Sequence, residues 1–88
     1  QIEHCEHWLR ERPNDVEIAL ALGVLCLRQK LWGKAQRHLE QSLSGSDLPI
    51  RQEAHLRLAQ MHEALSQPEA AAEHYRQCAM TTQLVAKT

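Results

Sequence analysis

The chain has 88 residues, one small domain able to bury roughly 60–65% of its extended surface. Ten Lys and Arg stand against eleven Asp and Glu, so it carries no basic excess of the kind that draws nucleic acid or anionic lipid. Cys5, Cys26 and Cys78 match neither a metal knuckle nor a disulfide scaffold, which suits a reducing compartment, and no apolar run is long enough to cross a bilayer.

From the N-terminus, Ile2, Cys5 and Leu9, with Trp8 beside them, recur at i, i+3 and i+7 and predict a helix over 1–12. The chain opens on Gln1 already in this periodicity, and we expect it to be a piece of a longer protein. Pro13 stops the helix. The next begins at Asn14 or Asp15, with Glu17 placed to complete a capping box from Asn14. Residues 16–27, VEIALALGVLCL, are apolar or small except for Glu17, so this second helix, running to about Gln29, needs neighbours over most of its circumference. A third helix carries Leu31, Ala35, Leu39 and Leu43 at i+4 steps, with Gly33 in its first turn and Gly45 as a left-handed C-terminal cap. Residues 44–49 form the longest loop. Asp47 caps a fourth helix, tolerating Pro49 in its first turn, and Ile50, Ala54, Leu58, Met61 and Leu65 define its buried face. Ser66 and Glu69 predict a capping box around Pro68 for a fifth helix that buries Ala71, Ala72, Tyr75, Cys78 and Ala79, and residues 81–88 are expected to fray.

Short connections between five helices imply antiparallel hairpins, and a self-comparison shows a repeat. A shift of 36 places Leu22 on Leu58, Gly23 on Ala59, Cys26 on His62, Ala35 on Ala71 and Leu39 on Tyr75. Gly23 and Ala59 are small enough for the first helix of each hairpin to approach Ala35 or Ala71 of the second, where a larger side chain would force the axes apart.

These positions resemble the tetratricopeptide repeat, in which each helix of a hairpin carries a small residue and a large apolar one follows four positions after the second. Ala19, Leu22, Gly23, Cys26, Ala35 and Leu39 take the signature spacing in one repeat, and His55, Leu58, Ala59, His62, Ala71 and Tyr75 in the next. Ala19 and His55 stand where the family favours Trp, and Cys26 and His62 where it favours Tyr. The loop around Gly45 is expected to stretch the repeat from about 34 residues to 36. The resemblance implies an all-α fold of antiparallel hairpins stacked as a right-handed superhelix. Residues 1–12 are then the second helix of a truncated preceding repeat, 14–45 and 47–81 are two hairpins, and 82–88 is a frayed tail.

The run LGVLCLRQKLWGKAQRHLEQSL, residues 22–43, with the later QPEAAAEHYRQC, is also similar to the C-terminal repeat region of the proteobacterial HemY family, inner-membrane proteins associated with protohaem biogenesis. That similarity implies membrane helices outside this stretch and a repeat region on the cytoplasmic face. A flavin-dependent oxidase shares the family's name, but this chain has no GxGxxG loop to hold FAD.

The tetratricopeptide resemblance assigns the concave face to Glu17, Leu20, Val24, Leu27 and Arg28 in the first repeat and Glu53, Leu56, Gln60 and Glu63 in the second. Leu20, Val24 and Leu56 would floor a groove ringed by charge, suited to a partner's helix or extended peptide, unless further repeats cover it. Repeats that clamp acidic chaperone tails place Lys and Asn where Leu20 and Val24 stand, so no such binding is expected.

Other chemistry has less support. His4 and His7 share a helix face beside Cys5 and could offer donors to zinc or haem, but a structural zinc site wants four ligands and solvated histidines suffice. His55 and His62 lie about 10 Å apart along one helix, too far for one ion, and read as half-buried interface histidines. Asp15 and Asp47 are explained by capping, the serines by helix ends, and no nucleophile elbow or phosphate loop is present. Arg28, Lys30, Lys34 and Arg37 gather at the turn after the second helix, where the helix dipole favours cations. Trp8 and Trp32 could be contact hot spots, but Trp32 beside Leu31 reads first as local core. The expectation is a non-enzymatic protein-interaction module without cofactor or metal, with no nucleic-acid partner and no membrane insertion of its own. A haem or tetrapyrrole carrier and a purely structural spacer are the alternatives.

Overall fold

Two aspartates start helices in this chain, and two left-handed residues stop them. The computed structural model describes residues 1–87, the last through its backbone alone. Its elements are α1 (Ile2–Glu11), α2 (Val16–Arg28), α3 (Trp32–Gln41), a 3-10 turn (Ser42–Ser44), α4 (Leu48–Ala64) and α5 (Pro68–Lys87), with no strand among the described residues.

The Asp15 carboxylate accepts from the Ile18 N–H at 3.1 Å, and Asp47 accepts from the Ile50 N–H at 3.2 Å. Each satisfies one of the amides that a helix N-terminus leaves open. The cap of α2 is therefore Asp15 and not the Asn14–Glu17 box. Asp15 also accepts from the Trp8 indole N–H at 3.0 Å, which ties α1 to the start of α2. That bond is the first cause of its carboxyl lying below the ordinary range, followed by the Ile18 amide. The Arg12 guanidinium sits 3.8 Å over the Trp8 ring, so Trp8 is engaged within its own corner of the fold.

At the other ends, Lys30 (φ 59) and Ser66 (φ 58) adopt the left-handed conformation. The Leu31 N–H donates to Cys26 O at 2.9 Å and the Lys30 N–H to Leu27 O at 3.0 Å. Thirty-six residues later the Gln67 N–H donates to His62 O at 2.8 Å and the Ser66 N–H to Glu63 O at 3.0 Å. Both are Schellman caps, built here without glycine. Ser66 is thus committed to ending α4 and does not form the expected box with Glu69. Gly45 is extended (φ −89, ψ 179) and not left-handed, because α3 tightens into the 3-10 turn instead. An added methyl there would lie 3.1 Å from Val16 Cγ1, close enough that the valine would have to yield by a few tenths of an ångström. The extra repeat length also lies elsewhere than expected. The N-caps are separated by 32 positions and the C-caps by 36, so the four added residues form one more turn at the start of α4.

α2 packs on α3 and α4 on α5, while α1 covers α2, and α4 also touches both α2 and α3. Links of three residues between elements in such extended contact make each pair antiparallel. The principal extents are 34 × 33 × 15 Å, and a thickness of 15 Å is that of two helix layers with axes about 10 Å apart. Leu9, Ala19, Leu22, Cys26, Ala35, Leu39, Leu58 and Met61 form the core between them. In the first hairpin Gly23 lies against Leu39. A methyl added at Gly23 would fall 2.7 Å from Leu39 Cγ and Cδ2 and 3.2 Å from the Leu39 nitrogen. Ala35, Leu22 and Leu39 are wholly buried. Leu31, by contrast, lies outside α3 and is exposed, while Trp32 packs against the core.

The largest departures concern α5. Among its expected core residues Ala71 is buried and Cys78 half-buried, but Ala72, Tyr75 and Ala79 are exposed. The buried stripe is instead Ala71, His74, Cys78, Thr81 and Val85, at i, i+3, i+7, i+10 and i+14. Residues 81–87, expected to fray, continue the helix, with Thr81 buried and its hydroxyl donating to Gln77 O at 2.8 Å. Thr88 lies outside the described residues.

Candidate functional site

A run of small and apolar residues along one side of α2 forms a trough with the start of α1. Leu20 and Val24 are half-buried on its floor with Ala21 and Leu25, and Leu20 also packs against the core. The cavity measures 840 Å³ and is walled by Gln1, His4 and Cys5 of the α1 segment, with Glu17, Arg28 and Glu53 at its rim. Its apolar floor and sparse polar rim are the usual make-up of a ligand or peptide cleft. Glu17 and Arg28 lie at opposite ends of α2, whereas Glu53 is paired with Arg57 at 2.6 Å.

The structure therefore brings five of the nine expected groove residues together: Glu17, Leu20, Val24, Arg28 and Glu53. The other four lie elsewhere. Leu27 packs against the core, Leu56 is half-buried on α4, and Gln60 is exposed. Glu63 is exposed and accepts a hydrogen bond from the Tyr75 hydroxyl, a contact that raises the tyrosine's pKa. The cleft is thus a feature of α1 and α2, with one residue from α4, and does not run on along the second hairpin. His4, Cys5, Ala21 and Leu25 escaped the sequence reading as groove residues. Ala21 and Leu25 continue the i+4 line from Glu17, which was the available signal. The part played by α1 had no signal in the repeat pattern, since it depends on the angle at which α1 crosses.

His4 and His7 are both exposed on α1, His4 toward the cleft. Among the described residues no three His, Cys, Asp or Glu side chains are grouped so as to hold a metal ion. The basic turn is dispersed: Lys34 pairs with Glu6 at 3.4 Å, Arg28 faces the cleft, Lys30 forms the Schellman cap, and Arg37 borders a smaller pocket with Arg10 and His38. His38 is buried, and its Nε2 has no partner. Burial holds its pKa below the ordinary histidine value.

His55 and His62 are buried at the α4–α5 contact, 7% and 8% exposed. His55 Nδ1 lies 3.1 Å from Nδ1 of His74 on α5, and His62 Nδ1 lies 2.6 Å from Gln67 Oε1. The His62 and His74 rings stack at 4° with centroids 5.4 Å apart. Sequence reasoning anticipated the first two histidines as hydrogen-bonded interface residues and missed His74. Burial, then mutual repulsion with a neighbouring imidazole, depresses the pKa of both His55 and His74. No helix of the described residues is long and apolar enough to cross a membrane. Comparison with protein-family models, with curated proteins and with solved structures finds no significant match to this chain.

Proposed function

We propose that the protein is a non-catalytic interaction module, a tetratricopeptide-like stack that docks a partner's helix or extended peptide in the α1–α2 cleft. The observation that carries this reading is the convergence of Leu20, Val24, Ala21 and Leu25 on one open trough that Glu17, Arg28 and Glu53 also line. An apolar floor supplies affinity, and a free carboxylate and guanidinium at opposite ends supply orientation. The order of helix contacts, with α2 against α3 and α4 and with α4 against α3 and α5, supports a repeat stack. By its resemblance, the module would belong to an inner-membrane-anchored protein of haem biosynthesis, facing the cytoplasm.

The test is a photo-crosslinking side chain placed at Val24 in the full-length protein in cells, with Arg76 on the exposed side of α5 as control. The expected outcome is a polypeptide adduct from Val24, absent from Arg76 and abolished by Leu20→Asp. Adducts only within the chain itself would show the cleft to be internally filled, as in the spacer reading, and equal yields from both positions would show no selective docking there. A second reading draws on His4 and Cys5 at the wall of the same cleft, donors suited to haem iron. A Soret shift on haem addition that is lost in His4→Ala would favour it.

A further inference from the structure

α5 packs its backbone against α4 alone among the described residues, so whatever loosens that one interface loosens the helix. At its centre are three imidazoles. His55 and His74 share an Nδ1···Nδ1 hydrogen bond of 3.1 Å, and His74 is stacked on His62, which is anchored to Gln67 at the head of α5. The three nitrogens in use face partners in pairs, and among the described residues no three His, Cys, Asp or Glu side chains are grouped so as to hold a metal ion. A bond between two Nδ1 atoms has a specific requirement: one ring donates and the other must keep a bare nitrogen to accept.

We propose that His55 and His74, with His74 stacked on His62, form a proton-operated latch: the neutral His55–His74 pair holds α5 on α4, and its protonation releases α5 while the first hairpin stays folded. The first proton places an imidazolium in a site from which water is largely excluded. The second leaves two N–H groups pointed at each other with no acceptor between them. The charged groups around the pair do not offset this. Arg51, on α4, opposes a charge on His55 and is held by the Leu43 and Gly45 carbonyls. Glu73 of α5 favours the charge but is paired with Arg76 at 2.7 Å, and Glu40 of α3 acts on His74 from a distance. An unfolded or released histidine titrates near 6.5, whereas the packed pair takes up protons only at lower pH. Release therefore binds protons, and the packed state loses stability as pH falls below about 6.5.

The test is amide hydrogen exchange on the intact protein, corrected for intrinsic chemistry, at pH values from 7 to 5. The α5 amides should lose protection by up to about tenfold per pH unit for each proton taken up, while α2 amides keep theirs. His74→Phe, which retains a ring against His62 but cannot titrate, should flatten the α5 response; should it fold poorly, His74→Gln serves. His38→Gln, which removes the buried histidine of α3, should leave the α5 response intact. Simultaneous loss of protection in α2 and α5, an unchanged response in both His74 variants, or its loss in His38→Gln would overturn the latch.

Discussion

The two hairpins share a frame and differ in what fills it. Their C-terminal caps use the same pair of hydrogen bonds, 36 positions apart, with Lys30 and Ser66 in the same left-handed conformation. Yet the first hairpin closes on Leu22, Cys26, Ala35 and Leu39, all wholly buried, whereas the second sets His62 where Cys26 stands and Tyr75 where Leu39 stands. Tyr75 is 37% exposed and engages Glu63 on the outside of the fold, and the space between α4 and α5 is taken by imidazoles. The caps and small residues decide how two helices meet. The residues between them decide under what conditions they stay together: Leu22, Ala35 and Leu39 fill the first hairpin without an ionisable group, whereas the His55–His74 contact in the second depends on which nitrogens carry protons.

The sharpest way to break the comparison is to empty equivalent positions. Leu39→Ala removes a fully buried side chain and should cost about 2–5 kcal/mol in urea denaturation, whereas Tyr75→Ala, at an exposed position, should cost clearly less. Equal losses would mean that the hairpins are filled alike. Next comes the shared small position. Gly23→Ala drives a methyl into Leu39 Cγ and the Leu39 nitrogen, so overpacking of about 1–3 kcal/mol should outweigh a helix-propensity gain of up to about 1 kcal/mol. Its counterpart Ala59→Gly should lose stability too, chiefly through the helix-propensity cost of about 1 kcal/mol, again by urea titration. The capping prediction follows: Asp15→Ala, which loses both the Ile18 amide and the Trp8 indole, should cost about 1–2 kcal/mol and alter Trp8 fluorescence. Asp47→Ala should cost less, because among the described residues Asp47 caps Ile50 without a second side-chain partner. Smallest are the two C-terminal caps, where Lys30→Gly and Ser66→Gly should each stabilise by up to about 1 kcal/mol in thermal denaturation, since glycine adopts the left-handed conformation without steric cost.

The candidate cleft was legible in part, and the missing part has a clear cause. Leu20 and Val24 were assigned to the groove by repeat position, and both line the trough. Leu27, Leu56, Gln60 and Glu63 were assigned by repeat position, and the actual crossing of α1 closes the trough beside α2 without them. On α5 the reading followed Ala72, Tyr75 and Ala79, the apolar residues, and passed over His74 and Thr81, the polar ones that face α4. An imidazole is an acceptable core residue only when a matching partner stands opposite it, and for His74 those partners are 12 and 19 positions away in the chain.

Local chemistry along the chain was enough to establish five helices, the capping role of Asp47, the short links and the 36-residue offset, because caps and periodicity act within a turn or two of backbone; between Asn14 and Asp15 only the structure chose. Packing alone chose the buried face of α5, the extended form of Gly45, the extra turn of α4 and the wall that α1 lends the cleft. Each of those depends on a side chain's surroundings across an interface, and an amphipathic ring or a half-apolar helix has no preferred face until its neighbour arrives.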